Sequence, residues 1–521
     1  MNTRTLRTKL LLPLAMVLTT ALHANNIQVT NTTLVDNTGS TAKVQFDISW
    51  ENSWRGGGVN NWDAAWVFVK YRSTGGIWQH ARLANSGHVA PSGSVIEPGL
   101  LDPLPDHNDL TNPVLGVFIH RAVDGTGNFS AVGTQLQWNY GVYGINAIDI
   151  GEVKVFAMEM VYVPQGAFAA GSGGGEAFAF TLTTISTAVA TGTPNGTGLL
   201  GGQNGGYPTG ATAPNNALWP NGYDAFYCMK YEVSQQGYVD FLNTLTYVQQ
   251  ATRTTTAPSA GTGTGALDNG NLARNGIDVL TPGVDNTLPA TYVCNLTSDG
   301  QYGQANDGKD VACSFLSWGD LTAYLDWSGL RPMTELEFEK ACRGTTFPLP
   351  NGFPWGTTSI HAPSAPGYLL TNPGSTNEGI GTNYGTVLGN AVYDGTSASL
   401  FGPVRVGAFA ANPLSTGRIS AGATYYGIME MAGNLYERVV TIGNTLGRLY
   451  VGNHGNGSLA ASGHHDAPTW PSSTTADGSG LRGGAWNVPA SNLRISDRLD
   501  ASAIVNSRSN MFGGRGVRTA P

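Results

Sequence analysis

His454, His464, His465 and Asp466 fall within thirteen residues of one another in "GNHGNGSLAASGHHD". Imidazole nitrogens and a carboxylate are the donors of a zinc site. None of these spacings is diagnostic, and solvent-facing loop histidines are the simpler expectation. The other soft groups are four cysteines, Cys228, Cys294, Cys313 and Cys342. No two form a C-x-x-C pair, which excludes a zinc ribbon and a thioredoxin motif. They are either buried thiols or members of one or two disulfides, whose pairing sequence does not fix. "GSGGGE" at 171–176 has no following lysine and no clear strand–helix context, so it reads as a turn and not as a phosphate cradle. Neither a Ser–His–Asp order nor a glycosidase-type carboxylate pair stands out.

The elements that must position any site are β-rich and loop-rich. Only 12% of the residues are charged and 71 are glycine, which argues against helical bundles. The first 24 residues read as a signal peptide. Arg4, Arg7 and Lys9 precede the apolar run "LLLPLAMVLTTAL", and Ala24 offers a small residue for cleavage. The expected location is therefore secreted, periplasmic or cell-surface, without a lipid anchor at the cleavage site and without an integral membrane segment. The net charge of -8 argues against nucleic acid and anionic membranes as partners.

Residues 25–157 read as a β-sandwich-like domain. "AKVQFDISW" places Val44, Phe46 and Ile48 on one face, and "AAWVFVKYR", "GVFIHRA", "TQLQWNYG" and "EVKVFAMEMVYVP" read as further strands. Trp50, Trp54, Trp62, Trp66, Trp78 and Trp138 lie here; core packing is their expected role and sugar stacking the alternative. Residues 158–521 read as a second, α+β domain. Stretches 169–222 and 251–310, rich in Gly and Thr, read as insertions or long loops. Three amphipathic helices are expected. One starts at Ser234, with Tyr238, Phe241, Leu242 and Leu245 in step. A second runs from Ser317 to Gly329, and a third from the Thr334/Glu337 capping box to Gly344.

The blocks occur in a recognisable order. "MVYVPQGAF" (160–168) and "FYCMKYEVSQQGYVDFLN" (226–243) come first. "LSWGDLTAYLDWSGLRPMTELEFEKACRG" (316–344) and "FPWG" (353–356) follow. "YGIMEMAGNLYERV" (426–439), "LRGGAWN" (481–487) and "GGRGVR" (513–518) complete the series. It resembles the formylglycine-generating enzyme family, also called sulfatase-modifying factor domains. The resemblance implies a variant of the C-type lectin fold with little regular structure. It also implies an oxidase that converts a sulfatase cysteine to formylglycine with oxygen and Cu(I) held by two thiolates, a soft pair for a soft metal. Carried onto this chain, those cysteines fall on Val488 and Leu493. An oxygen-pocket serine falls on Ala485 and a tryptophan on Tyr436. Copper is therefore not expected. The three arginines of the stretch, Arg482, Arg494 and Arg498, are expected to tie loops together through carbonyls and carboxylates.

The resemblance also places a calcium loop on "EMAGNLYER", with the side chains of Glu430 and Glu437 and the carbonyls of Gly433 and Leu435 as hard oxygen donors. It extends to variable proteins diversified by retroelements, which place their variation after the RGG-x-W block. By that likeness the chain is expected to be an exported pseudoenzyme that binds a protein or glycan. Its surface would be built by 443–480 and 487–512, with Asn487, Ser491, Asn492, Ser507, Arg508 and Asn510 in contact. The alternative is a formylglycine-generating oxidase or related metal-dependent oxidoreductase acting on a sulfatase or another protein.

Overall fold

The computed structural model describes residues 26–521 except 57, 59, 101–112, 189–215, 268–271 and 397–398. The signal-peptide reading and part of the first insertion lie outside the described residues. The N-terminal strands form as their alternation predicts. Ala42–Gly56 buries Ala42, Val44, Phe46, Ile48 and Trp50 on one face. It pairs antiparallel with Gln28–Val35 on one side and Gly125–Trp138 on the other. That layer packs on the Val67, Val69 and Ile119 face of Asn61–Arg72 and Val117–Arg121, giving a two-layer core as in a sandwich.

The second layer does not stop at residue 157. Asn61–Arg72 pairs with Glu152–Val163, which pairs onward with Phe226–Met229, and that strand pairs with Gly516–Thr519. One 13-stranded sheet thus runs from the N-terminal strands into the C-terminal half. The strand Glu152–Val163 crosses the 157/158 boundary without a break, because both of its edges are paired. The other face of Asn61–Arg72, carrying Trp66 and Phe68, packs on Trp327 and Leu330 of the C-terminal core.

The three expected helices are Gln235–Leu242, Trp318–Trp327 and Glu335–Arg343. Ser234, Ser317 and Thr334 cap them through their hydroxyl oxygens, satisfying backbone N–H groups that have no partner within the helix. Gly329 and Gly344 stop the last two with φ of 70° and 66°, a region that side chains disfavour. One expectation needs correcting. An amphipathic helix leaves its polar face in water, but every residue of Trp318–Trp327 and of Glu335–Arg343 is buried. The charges of the latter meet arginines from another part of the chain. The second insertion is also more regular than its composition suggests. It contains the helix end to Arg253 of Tyr247–Arg253 and the hairpin Ile277–Thr281/Thr291–Cys294, which buries Ile277, Val279, Tyr292 and Cys294. Among the described residues no helix is long and apolar enough to cross a membrane.

Candidate functional site

The stretch 479–498 begins as the strand Ser479–Arg482, paired with Glu437–Val440. It then turns through Gly483 and Gly484, whose φ values of 80° and 71° are left-handed. A Cβ on Gly484 would lie 2.6 Å from Leu493 Cδ1 and 3.2 Å from Val488 Cγ2, so the turn sits directly on those two side chains. Ala485 and Tyr436 pack with Leu481 and Phe512, and Val488 lies against both this cluster and the one containing Leu493. The fold therefore gathers Ala485, Tyr436, Val488 and Leu493 into one place, and what it gathers there is largely apolar. Leu493 is fully buried. The Tyr436 hydroxyl donates to Asp500 Oδ2 at 2.8 Å, and burial pushes its titration upward.

Thiols are elsewhere. All four cysteines are buried and unpaired. Cys228 lies in the central sheet, where burial pushes its thiol up to about 12; burial raises Cys294, Cys313 and Cys342 as well. A thiol with so high a value offers little thiolate to a metal or an electrophile.

The three arginines act as expected. Arg482 donates to Glu335 Oε2 at 2.9 Å, to Glu339 Oε1 at 3.0 Å and to the Ile495 carbonyl at 2.6 Å. Arg498 makes two bonds to Glu335, and its third recorded donor reaches the Phe178 carbonyl. Arg494 holds Asn351 Oδ1 at 2.9 Å. Burial opposes the charge on Glu335, but Arg498 and Arg482 outweigh it and hold the carboxyl below its ordinary range.

The six residues of the expected binding surface divide. Ser491 and Ser507 are exposed, and Asn487, Asn492 and Asn510 are half-buried. Asn487 Oδ1 is buried without a hydrogen-bond partner among the described residues. Asn510 uses its carbonyl to hold the Trp486 indole at 3.0 Å, which leaves its amide at the surface beside Ser509. Arg508 differs from the rest. Its guanidinium grips Asp320 at 2.7 and 2.9 Å and also donates to the carbonyls of Thr252 and Thr254. It is anchored to the helix Trp318–Trp327, which the sequence pattern could not reveal because Asp320 lies 188 residues away.

In the "EMAGNLYER" loop Glu430, Gly433 and Asn434 all have positive φ. Gly433 must be glycine, since a Cβ would lie 2.2 Å from the Val392 carbonyl. Glu430 Oε1 accepts from the Gly407 amide at 2.9 Å, and Glu437 Oε1 takes Arg515 Nε at 2.5 Å. The second oxygen of each carboxylate is buried without a hydrogen-bond partner among the described residues. Burial raises both groups, Glu430 to about 7. Sequence reasoning missed Glu232, which accepts from Asn434 Nδ2 at 2.5 Å and from the Leu435 amide at 2.9 Å. It braces the loop from the sheet side; the only sequence signal was its place in the "MKYEV" block. Two unpartnered carboxylate oxygens suit a hard cation, while Arg515 already supplies one positive charge. Among the described residues no three of His, Cys, Asp and Glu are grouped to hold a metal through side chains alone.

The histidine-rich stretch does not converge. His454 accepts from the Thr519 amide, His464 contacts Arg253, and His465 contacts the Pro471 carbonyl. Asp466 accepts from Asn456. Burial lowers all three histidines, His465 to about 4.

A largely irregular α+β domain, with short capped helices on a sheet and a buried arginine–carboxylate core beneath an RGG-x-W turn, defines the class. Residues 149–520 match the sulfatase-modifying factor enzyme 1-like domain, and the chain belongs to that family. No curated protein matches the chain.

Proposed function

We propose that this family member is an exported pseudoenzyme that binds a protein or glycan ligand on a C-type-lectin-like scaffold. The observation that carries the reading is the apolar replacement of the copper site. Val488 and Leu493 stand where the family enzymes carry thiolates, and residues 343–521 contain no cysteine. Methyl groups cannot bind Cu(I). The contact surface is the loop set 443–480 and 487–512, with Asn487, Ser491, Asn492, Ser507 and Asn510 able to reach a partner and Arg508 fixing the loop from beneath. The location follows from the N-terminal "LLLPLAMVLTTAL" pattern.

Cu(I) titration of the purified mature chain, paired with oxidation of a sulfatase-type cysteine peptide, tests the class. The expected result is no stoichiometric Cu(I) at the RGG-x-W turn and no formylglycine. Tight Cu(I) there with peptide conversion would establish the oxidase instead.

Calcium is part of the same proposal, held by Glu430 and Glu437 with the carbonyls of Gly433 and Leu435. The support is the pair of unpartnered carboxylate oxygens. A ligand that binds only the folded chain stabilises it by mass action, by about 2.7 kcal/mol at one hundred times its Kd. Millimolar Ca²⁺ should raise Tm in the wild type, and Glu430→Ala should abolish the shift. An equal shift in wild type and variant would place the ion elsewhere.

A further inference from the structure

A second concave surface lies where the N-terminal strands meet the C-terminal domain, away from the RGG-x-W turn in sequence. It is an open cleft of about 440 Å³, within the range of about 300–1,000 Å³ typical of small-ligand sites. Trp54 enters it from the strand Ala42–Gly56, Lys230 and Tyr231 from the block after Phe226–Met229, and Arg418, Tyr425 and Tyr426 from the 410–429 loop. Trp54 and Tyr425 are half-buried, so part of each ring is available. The rings of Tyr425 and Tyr426 stand at 90° with centroids 5.0 Å apart. That arrangement forms a corner and not a slot for a flat aromatic ligand. Small polar groups, Asn52, Asn61 and Ser415, are interspersed among the rings.

Two features are not explained by packing. Tyr426 is 1% exposed, yet its hydroxyl is without a hydrogen-bond partner among the described residues. Buried hydroxyls are normally bonded. The cations of the cleft also differ. Lys230 is neutralised by Glu159 at 2.8 Å and Asp63 at 3.3 Å. Arg418 has no carboxylate within ion-pair reach among the described residues; it donates to the carbonyls of Pro354 and Ala423 and lies 5.5 Å from the Tyr425 ring centroid. Burial lowers its titration, so an arriving anion would relieve the desolvated charge.

From the aromatic corner and the unneutralised Arg418 guanidinium, we infer that this cleft binds an acidic sugar unit of the uronate type. A pyranose presents an apolar face to an aromatic ring and a rim of hydroxyls to surrounding polar groups, which fits Trp54 and Tyr425 flanked by Asn52, Asn61 and Ser415. The carboxylate lies on Arg418, where a planar guanidinium pairs with it through two bonds. This site is independent of the loop surface proposed above.

The test is calorimetric titration of the full mature chain with a glucuronate-terminated oligosaccharide and its glucose-terminated counterpart. The wild type should prefer the acidic ligand by about 10-fold, as expected for one added charge-assisted contact. Arg418→Gln should remove the preference and Arg418→Lys should restore part of it. Trp54→Ala should weaken both ligands, with Tyr425→Leu as the second variant if Trp54→Ala does not fold. Ile148→Ala, an exposed residue outside both surfaces, should leave both affinities unchanged. Equal affinity for the two sugars, absence of binding at 10 mM ligand (roughly 3 kcal/mol or less), tighter binding of phenylacetate, or loss of binding in Ile148→Ala would overturn the assignment.

Discussion

Arg482→Met is expected to destabilise the chain by about 3–5 kcal/mol, the loss typical when one partner of a buried charge network is removed. Arg482 is 1% exposed and spans two carboxylates of the helix Glu335–Arg343. Without it Glu335 keeps Arg498 and the Thr441 hydroxyl, and Glu339 keeps Arg343. The cluster would nevertheless lose a positive charge in a place water does not reach, and Phe338 would lose the guanidinium 4.9 Å from its ring centroid. Urea unfolding followed by tryptophan fluorescence gives the value; a loss below about 1 kcal/mol would mean the network is only an exposed-type contact.

The same cluster sets a pH dependence. Glu335 has a folded value below its ordinary 4.5, so the unfolded chain binds its proton first as pH falls. Its contribution is full above about pH 4.5 and disappears as pH drops through the lowered folded value. Glu335→Gln should therefore flatten the acid limb of the stability curve relative to wild type. Parallel acid limbs would remove Glu335 from the account.

Trp486→Ala has the next largest expected effect, about 3–5 kcal/mol, as for other large aromatic truncations in cores. Trp486 packs with Tyr231, Val392, Val404 and Leu435, and its indole donates to the Asn510 carbonyl at 3.0 Å. Its amide also donates to the Asn434 carbonyl, tying the RGG-x-W turn to the proposed calcium loop. By contrast Ser491→Ala, Asn492→Ala and Ser507→Ala should stay within about 0.5 kcal/mol of wild type while altering ligand binding. Arg508→Ala should behave like a core change, because it takes from buried Asp320 its two-pronged partner and leaves it Arg253 at 3.1 Å. Thermal melts paired with a glycan and peptide array read both quantities. Loop variants that unfold the chain, or binding that ignores them, would reduce this surface to scaffold.

Local patterns carried far. Alternation marked Val44, Phe46 and Ile48 as one strand face, and serine or threonine N-caps marked three helix starts, because these signals are made within a few residues. Block order identified the family, and the resemblance is what assigns the enzyme's thiolate positions to Val488 and Leu493. What sequence could not determine depends on contacts between distant segments. Nothing local pairs Glu335 and Glu339 with Arg482 and Arg498, more than one hundred residues onward, which cover them in the fold. Arg508 read as a surface residue until Asp320 claimed it. The strand Glu152–Val163 has a partner on each side, one from each half of the chain, and local pattern does not show that pairing. The cleft of Trp54, Lys230, Arg418 and Tyr425 likewise draws on three segments with no common motif. Charge and exposure are properties of the surroundings, and only the tertiary structure supplies those.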